Sequence, residues 1–302
     1  GVEQRLAEVR LDNLMDSGYL RPFLESGPFS LFSGTGVTER PDTLCAKVSE
    51  GRIAILVDGS PYAILLPCLF SENFQSMDDY AERPYYAVFI RLIKYLAFFL
   101  TILLPGCYVA AVNFHPELIP DQLLFRIAEA EQGMAFPLMF QALLIHFIYE
   151  LMREAGLRLP RPVGHAVSII GALVIGDAAV TAGLISTPMV MVVALTTISS
   201  FVIPSLYEPV TLLRLLFILL GGTLGLYGVV LGLAFVGVNL CSVTVLGVPA
   251  TSPETPLSLY SLRDTLIRVG WRQLGQEQFI ISRTAGADQN GEPADQNGEG
   301  QP

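Results

Sequence analysis

Charged residues are scarce in this 302-residue chain: Asp, Glu, Lys and Arg together make up 15%. An ordinary soluble domain carries about 25%. Basic residues are the scarcer kind, 18 against 28 acidic, for a formal net charge of −10. No basic stripe is available to neutralise phosphates, which excludes nucleic acid as a partner. Four cysteines, Cys45, Cys68, Cys107 and Cys241, form no CxxC pair, so the expectation is buried, reduced thiols rather than disulfides or metal ligands. There is no P-loop, HExxH or GxSxG, and the SGTG at 33–36 does not sit between a strand and a helix, so it reads as a turn. Nothing points to an enzyme, a cofactor or a metal. No cleavable signal opens the chain, since GVEQRLAEVRLDN is polar, and it does not begin with Met. It is therefore expected to be a portion of a longer protein.

What the chain has in quantity is apolar length. Hydrophobic residues make up 52% and the mean hydropathy is +0.52. Five apolar runs lie at about 87–111, 136–152, 163–185, 188–204 and 210–240. A helix needs about 20 apolar residues to cross the hydrocarbon core. The first, third and fifth runs meet that length; the second and fourth are short enough to be tilted spans, re-entrant arms or helices buried in a bundle. The expected fold is an α-helical integral membrane protein with about four to five membrane helices, preceded by the end of an α/β soluble domain.

Four segments follow from this. Residues 1–85 read as the C-terminal part of a mixed domain: VEQRLAEVRLDNLMDSGYLRPFLES has helical spacing, and GRIAILVDGSPYAILLPCLF reads as two strands turning at Asp58-Gly59. Residues 86–241 form the membrane domain. Within it, 115–132 predicts an amphipathic helix starting near Pro120, with Asp121 in its first turn and Leu123, Leu124 and Ile127 on one face. Residues 242–280 are an interfacial segment anchored by Trp271, and 281–302, with its ADQNGEP/ADQNGEG repeat, is a disordered tail.

Arginines alternate between links: Arg83, Arg91 and Lys94 before the first run, Arg153, Arg158 and Arg161 after the second, Arg214 after the fourth. The positive-inside rule then puts the N-terminal domain in the cytoplasm. Arg263, Arg268 and Arg272 conflict with five full spans and favour an even number.

Ionisable and hydroxylic residues inside apolar runs are the candidate functional set, because charge at membrane depth is costly and usually faces a bundle interior or a water-filled path. They are His146 and Glu150, at i, i+4 on one helix face, Asp177 mid-run, and Thr196, Thr197 and Ser200; His165 and Glu208 lie near run ends. Each also fits a buried hydrogen-bond clamp. Gly221, Gly225, Gly228 and Gly232 form a small-residue stripe suited to close helix packing, within the chain or against a partner.

The stretches NFHPELIPDQLLFRIAEAEQG, ELMREAGLRLPRPVGHAVSIIGALVIGDAAVTAGLIS and MVVALTTISSFVIPS, with EGRIAILVDGSP and Glu39-Arg40-Pro41-Asp42, strongly resemble the A subunits of the spore germination GerA family, a group that includes the stage V sporulation protein AF. The resemblance covers about residues 10–250. It implies a membrane subunit of a nutrient germinant receptor in the inner membrane of bacterial endospores. Its partners would be a transporter-like B subunit and a lipoprotein C subunit, and it would oligomerise into a ligand-gated ion channel. The family commonly has Glu where His146 stands and Gln where His165 and Asp177 stand. A solute transporter and a non-conducting scaffold are the other readings. On the channel reading, Asp177→Asn and Glu150→Gln are expected to reduce ion release without preventing membrane insertion. Ion flux and membrane fractionation of each variant check both halves.

Overall fold

The computed structural model describes residues 2–11, 14–25, 30–160, 176–252, 264, 265, 267 and 281. It is mostly helical, and the chain divides into two compact units: Gly1–Ile93 with Val236–Pro302, and Lys94–Phe235. In chain order the elements are α1 (Val2–Ala7), α2 (Arg21–Leu24), β1 (Gly36–Thr38), α3 (Pro41–Ser49), β2 (Ile53–Leu56), β3 (Ala63–Leu66), α4 (Asp78–Ala81), α5 (Pro84–Phe114), α6 (Asp121–Glu131), α7 (Leu138–Arg158), α8 (Thr187–Phe201), α9 (Tyr207–Ser242), β4 (Thr244–Val245) and β5 (Val248–Pro249).

The first unit is built on an antiparallel sheet ordered β1-β3-β2. Strands β2 and β3 pair from Ile53↔Leu66 to Leu56↔Ala63 around Asp58-Gly59, where Gly59 takes φ 84°. That left-handed conformation is open to glycine at no steric cost. All four residues of the central strand β3 are buried. The helical spacing of residues 2–26 does not give one helix: it breaks into α1, a 3-10 turn at Ser17–Leu20, and α2, which Pro22 opens. Proline fits the first turn of a helix and interrupts its interior.

The segment after the last helix belongs to this same core. Strands β4 and β5 form a tight hairpin, and Val243, Val245 and Ala250 pack with Leu20, Leu24, Ile64 and Leu66. The Asn239 side chain accepts a hydrogen bond from Leu31 N at 3.1 Å, and buried Arg91 donates to Asp79 Oδ2 at 3.2 Å and to the Asp264 carbonyl at 2.6 Å. Residues 242–252 are thus a folded β-hairpin. Trp271 and the repeat tail lie outside the described residues.

A buried charge cluster holds this unit together. Glu72 accepts from Lys47 Nζ at 2.9 Å and from Arg52 Nη1 at 2.7 Å, and Arg52 Nη2 makes a second bond to it. Burial pushes the Glu72 carboxyl up, but the Lys47 and Arg52 charges outweigh it and hold it below its ordinary 4.5. Burial, with Glu72 nearby, pushes the Cys68 thiol up to about 12, so it is an inert thiol. Cys45 and Cys241 are exposed, contrary to the expectation of burial, because each falls on an outward position of its helix.

In the second unit, α5 and the Pro204–Ser242 stretch are the two helices long and apolar enough to cross a membrane among the described residues, each with hydropathy 2.1. The 21-residue α7 carries Glu150, Arg153, Glu154 and Arg158 in its second half, and α8 has 15 residues. Of the 163–185 run only 176–185 is described, helical at 176–181. Helix α6 begins at Asp121 as expected, but only Ile127 of its three apolar residues is buried and Leu123 is exposed.

The last run is not a single straight rod. Gly225 takes φ 64°, ψ −150° in the middle of α9. A Cβ placed on Gly232 would lie 2.8 Å from Phe217 Cε1, although the two residues are fifteen apart. On a straight helix that separation is about 22 Å. The chain therefore reverses at Gly225, and 207–224 and 226–242 form two arms of a helical hairpin. A Cβ on Gly228 would meet the Leu220 carbonyl at 2.4 Å, and one on Gly221 the Gly106 carbonyl at 2.3 Å. Helix α5 runs through Pro105-Gly106 without breaking, and its end meets the apex, where a Cβ on Gly225 would touch Phe114 at 3.1 Å.

Two predictions follow. Gly221→Ala is expected to lose about 1–3 kcal/mol through overpacking against backbone, whereas Gly237→Ala, with nothing within 4 Å of its added Cβ, is neutral or stabilising. Thermal unfolding in detergent checks the contrast. Arg52→Met, which leaves the buried Glu72 carboxylate with Lys47 alone, is expected to lose about 3 kcal/mol at pH 7. Because the folded Glu72 value is lowered, its contribution is complete above pH 4.5 and fades as pH falls through the folded value. Denaturant titrations at descending pH are expected to show the Arg52→Met deficit shrinking in acid.

Candidate functional site

Within the second unit, α7 turns a polar face toward the first arm of the hairpin. His146, Tyr149, Glu150 and Arg153 recur at helical spacing on α7, and Tyr207, Thr211 and Arg214 at i, i+4, i+7 on the arm. Arg214 is fully buried and gives Nη2 to Glu150 Oε1 at 2.6 Å. Tyr207 donates its hydroxyl to Glu150 Oε2 at 2.5 Å. The Arg153 guanidinium carbon lies over the Tyr207 ring, 3.3 Å from its centroid, and the Tyr149 ring centroid is 5.9 Å from the Arg214 guanidinium carbon. A charge-assisted bond of this length in an apolar unit is strong, and it leaves both Glu150 oxygens engaged.

His146 is buried beside this pair in the chain but does not bond Glu150: its Nδ1 faces the Ala142 carbonyl at 2.7 Å. That contact makes Nδ1 the protonated nitrogen and leaves Nε2 as an acceptor. Asp177 is exposed, and the described contacts do not join it to Glu150 or His146. The hydroxyls of α8 bond their own helix: Thr196 Oγ1 to the Val192 carbonyl and Ser200 Oγ to the Thr197 carbonyl, both at 2.7 Å. Gly221, Gly228 and Gly232 sit at contacts inside the chain, and Gly225 is the turn itself. His165 lies outside the described residues, and Glu208 is exposed. Among the described residues no three His, Cys, Asp or Glu side chains are placed to hold a metal.

Three participants escaped the sequence reading. Arg214 reads from the sequence only as an orientation charge, yet an arginine with no further charged residue before Glu254 is the costliest residue in that run and signals a buried partner. Tyr207 carried no signal. Buried Gln141 ties three segments at the other end of α7: it donates to Glu131 Oε2 at 2.7 Å and to the Phe136 carbonyl at 2.9 Å, and accepts from Ser186 N at 2.8 Å.

An apolar unit, helical across its described residues and carrying a buried ion pair on one internal seam, has the character of a membrane-type helical bundle. The profile of the Bacillus/Clostridium GerA spore germination protein family matches residues 1–278, and the chain belongs to that family. It is 43% identical over 299 residues to spore germination protein KA of Bacillus subtilis (strain 168), covering 97% of this chain and 55% of that protein. Spore germination protein B1 of the same organism is 39% identical over 270 residues (89% and 56%), and spore germination protein GerLA of Bacillus cereus is 36% identical over 270 residues (89% and 55%). The chain thus spans about half the length of the curated relatives it matches. No solved structure matches it.

Proposed function

We propose that the chain is the membrane-embedded part of the A subunit of a nutrient germinant receptor in the inner membrane of bacterial endospores. In this reading it works with a transporter-like B subunit and a lipoprotein C subunit, and it oligomerises to pass ions when nutrient is sensed. The observation that carries the reading is the family match over residues 1–278, which takes in both units of the fold. The seam of Glu150, Arg214 and Tyr207 supports the ion-passing part, because ionisable groups kept at membrane depth mark pathways more often than scaffolding.

The fold also supports an even number of membrane crossings. Residues on both sides of the apolar unit share one hydrophobic core, so both belong on one face of the bilayer. The reversal at Gly225 supplies the return stroke. The first arm is about 27 Å long, close to the hydrocarbon thickness of about 30 Å. If both arms cross, α5, α7, the 163–185 run, α8 and the two arms make six strokes. If the hairpin dips in and out, the number is four. Either way this reading puts Arg83 and Arg158 on the same, cytoplasmic side, and the acidic segment around Glu117, Asp121 and Glu129 on the other.

The test is single cysteines at Ser49, Gln122 and Arg268 in an otherwise cysteine-free protein, probed with an impermeant thiol reagent in sealed, right-side-out vesicles. Ser49 and Arg268 are expected to be protected together and Gln122 to label. Labelling of Ser49 and Arg268 that differs would refute the even count. Spores lacking the subunit are expected to lose nutrient-triggered ion release; unchanged release would refute the receptor role.

A further inference from the structure

The seam between α7 and the first arm holds more polar groups than it satisfies. Three buried side-chain nitrogens here have no hydrogen-bond partner among the described residues: Arg214 Nε and Nη1 and His146 Nε2. Native interiors keep such atoms few, since each has given up water and gained nothing. The guanidinium is the extreme case, fully buried with only Nη2 bonded. Against this stands one carboxylate. Both Glu150 oxygens are spent on the arm, one on Arg214 and one on Tyr207. The closed packing of the seam therefore depends on Glu150, and the three unpaired nitrogens gain by meeting water. The arm is bounded by two breaks in the helix, a 3-10 turn at Pro204–Leu206 before it and Gly225, at φ 64°, after it, which are the places where a hinge can act.

We propose that the Glu150–Arg214 pair is the latch of the closed state. Its release lets the first arm part from α7, water hydrates the orphaned atoms, and the seam becomes part of the ion path. This rests on the ion-permeation reading above. It also reverses the direction expected from the sequence at Glu150: Glu150→Gln removes the one attraction that holds the seam dry and therefore favours the open state.

The experiment uses the full-length protein in spores with its receptor partners. A Thr211→Cys reporter is placed in a background whose native cysteines are serine, and its reaction with a small water-soluble thiol reagent is timed in isolated membranes. With the pair intact the reporter is slow. Glu150→Gln is expected to speed labelling about tenfold, a modest population shift, and to raise germination in nutrient-free buffer. Glu150→Met with Arg214→Met keeps the seam packed without charge; it is expected to stay slow and to block the response to a nutrient mixture at normal protein level. Glu150→Arg with Arg214→Glu is expected to restore both behaviours. Equal labelling rates across the set would overturn the latch, as would fast labelling in the double methionine variant. Labelling that changes while ion release does not would leave the latch standing and overturn the permeation reading.

Discussion

The architecture depends on one backbone reversal. At Gly225 the chain takes a left-handed φ that a side chain would oppose, with Phe114 packed against the position a Cβ would occupy. That turn converts a long apolar run into two arms, and the second arm brings the chain back to a β-hairpin whose valines complete the core begun by Leu20, Leu24 and Ile64. The small residues on either side serve the same reversal. Gly228 and Gly232 let the second arm lie on the first, and Gly106 with Gly221 lets α5 reach backbone-to-backbone contact with it.

Two of the buried ion clusters among the described residues divide the physical labour. In the first unit Glu72 meets Lys47 and Arg52 with its oxygens and their donors well matched, which suits a permanent anchor. In the second unit Glu150 is fully engaged but Arg214 is not. A matched cluster is stiff because any movement breaks a bond. A mismatched one loses little by opening, because newly exposed donors find water. The same residue types thus support a static scaffold in one place and a two-state element in the other.

Much was legible in the sequence. The apolar runs, the Asp58-Gly59 turn, the start of α6 at Asp121 and the family all followed from local composition and spacing, where one or two neighbouring residues decide the outcome. Glu150 stood out because charge in an apolar run is rare. What failed was also local in cause: helical spacing over 2–26 could not show where Pro22 would fall in its turn, and a glycine stripe looks the same whether it faces a neighbouring chain or its own preceding arm.

By itself, the sequence determined that this is an apolar, helical chain of the GerA family, because run length, charge scarcity and motif are properties of contiguous residues. Only the tertiary structure decided that the last run folds back on itself, that residues on either side of the apolar unit share a core, and that Glu150 is answered by Arg214, 64 positions further along the chain. Those facts depend on contacts between distant segments, and the sign of φ at a glycine is set by what packs around it rather than by the glycine.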